Sequence, residues 1–325
     1  MKSVLLKSLM LLFSMLAISS PSWWGGWLGM ELLGFSFITW LAVSGEKTLK
    51  MKIFSYMVVQ MATSSGFFIA CLMSAWGKSE MLHHLVYLSL LMKMGCFPFH
   101  GWVVSISESV NYMSLYLLFT LLKVPPLGLM GSLCSLDTLT LMILLGGLSL
   151  GPLAYSLGSL RLLLTYSSII QVSWLVLSGF LSKTILIFTF FVYSITLYFP
   201  MKVLNKWKIN KLGYLITLSS LMEGGLVPLL WVISFLSLMG VPPLLGFYPK
   251  LWVISSLLES ESSLLGWILL VASVLPMFIY MKVVVFSFLS SKVCSKSFIY
   301  QNSNNLSVIT PALFVMLTMG GFMWL

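Results

Sequence analysis

Long apolar runs, separated by short polar segments, follow one another along almost the whole chain. A helix needs about 20 apolar residues to cross the roughly 30 Å hydrocarbon core of a bilayer. Runs of that length predict eleven membrane-spanning helices, near residues 3–20, 23–43, 51–76, 80–102, 111–133, 136–158, 162–182, 184–201, 225–258, 262–288 and 305–325. The ninth run is too long for one straight crossing, so we expect its Pro242-Pro243 pair to break the helix.

The composition agrees with a chain that lies almost entirely in a membrane. Hydrophobic residues make up 59% of the sequence and charged residues 8%, whereas a soluble domain has about 25% charged residues. The mean hydropathy is +1.03. We therefore predict an all-α polytopic membrane protein with a single membrane domain over residues 1–325. Its parts are 1–133 with a broken helix near 93–102, 136–288 with a second broken helix near 239–250, and a C-terminal helix at 305–325.

The basic residues sort to one side of the membrane if the chain crosses it eleven times. Thirteen share the side of the N-terminus: Lys2, Lys7, Lys47, Lys50, Lys52, Arg161, Lys202, Lys206, Lys208, Lys211, Lys282, Lys292 and Lys296. Lys78 and Lys183 fall on the opposite side. Because basic loops stay on the positive side, the N-terminus is predicted there and the C-terminus opposite. The net charge of +10 is then a topology signal, and we expect no nucleic-acid partner.

The sequence has no motif for a cofactor, a metal or a nucleotide. Cys71, Cys96, Cys134 and Cys294 are far apart, whereas iron–sulfur clusters and structural zinc need grouped thiolates. The motifs GxGxxG, GxxxxGK[ST] and HExxH do not occur. We expect no cofactor and no redox centre on this chain.

Four charged residues lie inside the apolar runs, namely Glu31, Lys93, Lys123 and Lys250. Each costs about 3 kcal/mol at the middle of a bilayer, and such groups usually serve ion or proton pathways. Burial disfavours a charged ammonium, whereas a nearby carboxylate favours it. A lysine whose distance to Glu31 changes can therefore bind and release a proton. The alternative is that these side chains only reach toward the membrane surface, above all Lys250, which follows Pro249.

An internal repeat supports a transport function. MGCFPFHGW at 94–102 aligns without a gap with MGVPPLLGF at 239–247, so that Met, Gly, Pro and Gly coincide. The two segments are five spans apart and therefore run in opposite directions through the membrane. Inverted repeats with helices broken by Gly and Pro, here at Pro98 and at Pro242-Pro243, are typical of transporters. His100 lies in the first break and is a candidate proton relay.

Five motifs occur in an order that resembles a known family: WLGME at 27–31, Lys93 with PFHGW at 98–102, KVPPL at 123–127, LR at 160–161 with TYSSI at 165–169, and GVPPLLGFYPK at 240–250. The chain resembles the antiporter-like membrane subunits of respiratory complex I from animal mitochondria. The resemblance implies that Glu31 and Lys93 form an acid–lysine pair, that Lys123 lies on the central axis and that Lys250 is the outer lysine. It also implies an inner mitochondrial membrane location, with the N-terminus in the matrix and the C-terminus in the intermembrane space.

The same resemblance implies the partners, which are other membrane subunits of complex I and membrane lipids, with quinone reduction taking place elsewhere in the complex. Two positions depart from the family pattern. Gln171 stands where relatives often have a histidine, so a water molecule or Lys123 would have to carry that step. Val103-Val104-Ser105 stand where many relatives have an acid, which indicates a different entry on the matrix side.

We therefore predict a proton-translocating subunit of NADH:ubiquinone oxidoreductase, with a relay through the four buried charges. Moving one charge against 100 mV costs about 2.3 kcal/mol, and no energy source is visible in this sequence. One alternative is a free-standing cation/proton antiporter that uses the same groups. The other is a purely architectural membrane subunit whose buried charges are structural.

Overall fold

The computed structural model of the chain describes residues 2–44, 49–76, 80–131, 158–214, 226–242, 244–259 and 263–289. Almost all of these residues are helical, and the β-pairing within them is one isolated antiparallel bridge between Ser159 and Lys211. The span predicted at 305–325, nearly all of that at 136–158, and Pro243 lie outside the described residues. The number of spans and the division into three parts therefore stay predictions.

The helix bounds follow the predicted spans closely. The helices are α1 Lys2–Ser19, α2 Trp23–Val43, α3 Leu49–Trp76, α4 Glu80–Met94, α5 Gly101–Ser107, α6 Tyr112–Phe119, α7 Val124–Met130, α8 Leu160–Leu181, α9 Lys183–Trp207, α10 Leu226–Met239, α11 Phe247–Glu259 and α12 Ser263–Leu289. Two 3₁₀ turns lie at Leu121–Lys123 and Leu212–Tyr214. The largest difference is at α9, which extends six residues beyond the predicted end at 201 because MKVLNKW continues the helix past Pro200.

The chain divides into two compact units. The first comprises Met1–Gly147 and Ser168–Lys183, and the second comprises Leu148–Ser167 and Thr184–Leu325. Glu31, Lys93 and Lys123 thus belong to the first unit and Lys250 to the second. Each unit contains one of the two aligned segments.

Helix α3 shows the polarity expected of a helix in lipid. Its buried face carries Tyr56, Gln60, Thr63, Ser64 and Phe67, at the spacing of one helix face. Its other face exposes large apolar side chains: Met51, Phe54, Val58, Met61, Ile69 and Leu72. Lipid tails accept apolar side chains, whereas polar groups need partners inside the protein. Tyr56, Gln60, Thr63 and Ser64 therefore point inward, whereas the exposed hydroxyls of Ser55 and Ser65 donate to carbonyls of their own helix.

The two helix breaks have the same backbone conformation. Gly95 and Gly240 follow the last residues of α4 and α10 with positive φ angles of 71° and 79°. At the first break the amides of Gly95 and Cys96 donate to the carbonyls of Met92 and Leu91; at the second, those of Gly240 and Val241 donate to Ser237 and Leu236. The donors and acceptors at the second break are those of the first break shifted by 145 positions. Both pairs of hydrogen bonds form the Schellman motif that ends a helix. The backbone thus reproduces the repeat seen in the sequence.

A third interruption was not anticipated. The predicted span 111–133 consists of α6, the 3₁₀ turn Leu121–Lys123 and α7, and Thr120 between α6 and the turn has φ −113° and ψ −81°. Pro125 and Pro126 occupy the first turn of α7. Since Pro125 and Pro126 supply no N–H to the carbonyls of the preceding turn, the VPP sequence was the signal that could have shown this change of helix type.

Candidate functional site

Glu31 and Lys93 form a largely buried ion pair in the first unit. Glu31 lies in the middle of α2, and Lys93 lies in the last turn of α4, just before the first break. Lys93 Nζ is 3.6 Å from Glu31 Oε1, and the two side chains are 7% and 18% exposed. Neither atom has a hydrogen-bond partner in the described part of the chain. The pair is thus an electrostatic contact, longer than a hydrogen bond.

Two small pockets meet at Lys93. Both are lined by Met30, Gly34, Gln60 and Lys93. The first pocket also contains Glu31 among the side chains of α2 and α3. The second also contains Tyr56 and three residues around the start of α7: Leu122, Pro125 and Pro126. Each has room for about one water molecule, so the lysine stands between the carboxylate on one side and the 3₁₀ turn on the other.

Lys123 is the last residue of the 3₁₀ turn and is 3% exposed. Its Nζ donates a hydrogen bond of 3.1 Å to the main-chain carbonyl of Ser168 in α8. The ammonium also lies 5.5 Å from the centre of the Phe119 ring, within the range of a cation–π contact. The tight turn places this lysine at the start of α7, beside the residues that line the second pocket.

Lys250 lies in the first turn of α11, after the second break. Its side chain folds back so that Nζ donates to the carbonyl of Met239, the last residue of α10, at 2.8 Å. A Cβ atom on Gly240 would lie 2.8 Å from this Nζ, so glycine permits the close approach. The lysine side chain is therefore hydrogen-bonded to the end of α10.

The remaining predicted residues lie near the breaks or on α8. His100 directly precedes α5 and stacks on Phe97 with 5.8 Å between ring centres. Gln171 lies in α8 three residues after Ser168, and is partly exposed. Pro98 follows a cis peptide bond in the first break, and Pro242 is exposed in the turn after Gly240. Within the described ranges, no three His, Cys, Asp or Glu side chains are grouped so that they could hold a metal ion.

Three groups at this site were missed by sequence reasoning: the side chains of Tyr56 and Gln60 and the carbonyl of Ser168. Gln60 offered a signal, since it is an amide inside the long apolar run of α3. The position of the Ser168 carbonyl beside Lys123 follows from tertiary packing, for which the sequence has no local signal.

The family described as "NADH:quinone oxidoreductase/Mrp antiporter, TM" matches residues 4–276. NADH-ubiquinone oxidoreductase chain 2 of Artemia franciscana is 33% identical over 298 residues, which are 90% of this chain and 93% of that protein. The protein of the same name from Locusta migratoria is 27% identical over 87% of this chain and 84% of its own length.

Among solved structures, the fold is similar to a chain of respiratory complex I from Thermus thermophilus with bound aureothin. The TM-score is 0.84 at 18% identity, and the match covers 98% of this chain and 77% of that chain. The similarity confirms the predicted all-α, antiporter-like membrane fold.

Proposed function

This chain belongs to the NADH:quinone oxidoreductase/Mrp antiporter family, and within it to the NADH-ubiquinone oxidoreductase chain 2 proteins; from its buried charges we propose that Glu31, Lys93, Lys123 and Lys250 carry its protons. As an antiporter-like, proton-translocating subunit of NADH:ubiquinone oxidoreductase, it would work beside the other membrane subunits of that complex. Its place would be the inner mitochondrial membrane, with the basic loops and the N-terminus in the matrix.

The observation that carries the proposal is the buried pair of Glu31 and Lys93. At 3.6 Å, a pair of unit charges attracts by about 4.6 kcal/mol at an effective dielectric constant of 20, and doubling the distance halves this energy. The change of about 2 kcal/mol is similar to the 2.3 kcal/mol needed to move one charge against 100 mV. A rearrangement that separates the pair therefore weakens the binding of the proton to the lysine by a free energy similar to the work of moving one charge across the membrane.

Lys123 and Lys250 extend the proposal to the rest of the chain. Each ammonium is held by a main-chain carbonyl, that of Ser168 or that of Met239. A carbonyl attracts the charged ammonium more strongly than the neutral amine, so movement of either carbonyl changes how firmly the proton is held. Reduction of quinone in other subunits would supply the energy for these movements.

The test is the substitution Glu31→Gln in the intact complex, reconstituted in liposomes. We expect NADH oxidation to continue while the number of protons moved per electron falls, because the amide cannot stabilise the charged lysine. Glu108→Gln is the matched control, since Glu108 is half exposed and pairs with Lys52 at 3.1 Å. Normal proton transfer by the Glu31→Gln complex would contradict the relay.

The purified chain alone separates this function from that of a free-standing antiporter. We expect liposomes that contain only this chain to show no exchange of cations for protons. Exchange without the partner subunits would favour the antiporter.

A further inference from the structure

The buried face of α3 carries two polar side chains that take no part in the relay proposed above. Tyr56 and Gln60 are one helical turn apart, and they are 0% and 9% exposed. The Tyr56 hydroxyl has no hydrogen-bond partner among the described residues. A buried phenol without a partner is costly, so its retention calls for an explanation.

The ring of Tyr56 is held firmly in place. Its centre is 5.6 Å from that of Phe37 and 5.6 Å from that of Trp102. The indole of Trp102 is itself anchored, because it donates to the carbonyl of Met92 at 3.2 Å. The hydroxyl therefore keeps a fixed place near the second pocket, which Tyr56 lines together with Lys93 and Gln60.

Gln60 lies at the junction of both pockets. It lines the first pocket with Glu31 and Lys93, and the second with Lys93 and Tyr56. An amide side chain both donates and accepts hydrogen bonds, and a tyrosine hydroxyl does the same. A pocket with such groups and with room for about one water molecule satisfies the conditions under which water is bound inside a protein.

We propose that Tyr56 and Gln60 are positioning residues that hold water on both sides of Lys93, an inference that rests on the proposed function. The proton that leaves Lys93 Nζ passes to a water oxygen, and that water gives up another of its protons toward the next acceptor. Gln60 and Tyr56 orient the water by hydrogen bonds, and neither residue gains or loses a proton overall. The path runs from Glu31 through Lys93 to the turn that ends at Lys123.

The experiment removes only the hydrogen-bonding groups, in the intact reconstituted complex. Tyr56→Phe deletes the hydroxyl and keeps the ring, while Gln60→Met keeps the length of the side chain. We expect NADH oxidation to continue and coupled proton transfer to slow by about two- to tenfold, the change that one hydrogen bond produces. The slowing in D₂O should also differ from that of the unchanged complex, which a loss of packing alone would not cause.

Two matched controls lie on buried helix faces outside the pockets. Tyr87→Phe removes a hydroxyl from a tyrosine on α4 that packs against Phe180. Ser64→Ala removes a hydroxyl from α3 one turn beyond Gln60. We expect unchanged proton transfer from both.

The outcomes separate this inference from the proposed function. If Glu31→Gln lowers proton transfer but Tyr56→Phe and Gln60→Met leave its rate and its D₂O dependence unchanged, the positioning role is wrong and the relay stands. If Glu31→Gln also has no effect, both are wrong. If Tyr56→Phe and Gln60→Met slow proton transfer no more than Tyr87→Phe and Ser64→Ala do, Tyr56 and Gln60 contribute only packing.

Discussion

The substitution Lys93→Arg is expected to leave the complex assembled and able to oxidise NADH, while proton transfer through this chain falls by more than about tenfold, the effect of about 1.4 kcal/mol on a barrier. Arginine keeps a positive charge opposite Glu31, but its guanidinium stays protonated in proteins. A relay that needs Lys93 to lose its proton must stop, whereas an architectural ion pair would survive. The measurement is the number of protons moved per NADH oxidised by the complex in liposomes.

Lys52→Arg is the control for this prediction, because Lys52 also pairs with a glutamate but its side chain is 32% exposed. It should leave proton transfer unchanged. Normal proton transfer by the Lys93→Arg complex would favour the architectural subunit.

Removing the charge tests the stability of the same pair separately. Lys93→Met leaves Glu31 buried without its partner, a change that costs about 3–5 kcal/mol. We expect less assembled complex, and we expect the double variant Glu31→Gln with Lys93→Met to restore much of it, because both charges are then gone. Proton transfer should remain low in the double variant. Restored transfer would show that neither group carries protons.

The substitution Gly246→Ala is expected to prevent stable insertion or assembly of the chain, although its aligned counterpart Gly101→Ala should be tolerated. A Cβ atom on Gly246 would overlap the carbonyl oxygen of Ser237 and lie 2.9 Å from its carbon. Both sides of this contact are main chain, so neither can turn away. Around Gly101, no heavy atom of the described residues beyond its chain neighbours and its own helix backbone lies within 4 Å of the Cβ position.

The measurement is the amount of assembled complex and its resistance to thermal unfolding. Gly101→Ala should be neutral or stabilise α5 by up to about 1 kcal/mol, because alanine favours helix more than glycine does. Equal losses from the two substitutions would show that the breaks are packed alike, contrary to the structure.

The sequence predicted most helix bounds because the thickness of a membrane fixes the length of an apolar run. It also predicted broken helices near 93–102 and 239–250, since the same letters recur at a constant offset. The predicted break residues were Pro98 and Pro242-Pro243, whereas the helices end just before Gly95 and Gly240. The change of helix type before Pro125 was missed because the run stays apolar across it, although the prolines carried the signal.

Contacts between helices depend on tertiary packing, which the sequence could not show. Gly101 and Gly246 are equivalent in the alignment, yet only Gly246 touches a neighbouring main chain. That Glu31 lies near Lys93 was implied by a family resemblance, since 62 positions separate them and no periodicity relates α2 to α4. The inward direction of Tyr56 and Gln60 depends on how α3 is rotated against its neighbours.

The two breaks have the same backbone conformation, but a different side chain hydrogen-bonds to the end of the preceding helix in each. At the end of α4 the donor is the neutral indole of Trp102, and at the end of α10 it is the ammonium of Lys250. The carbonyl end of a helix carries about half a negative charge from its aligned peptide dipoles. An indole never offsets that charge with a full positive one, whereas the lysine does so only while it is protonated. The two returning donors are therefore electrically unequal. At the end of α10 the group that closes the helix gains or loses its own charge as a proton arrives or departs, whereas at the end of α4 the protonatable group is Lys93, which pairs with Glu31 instead.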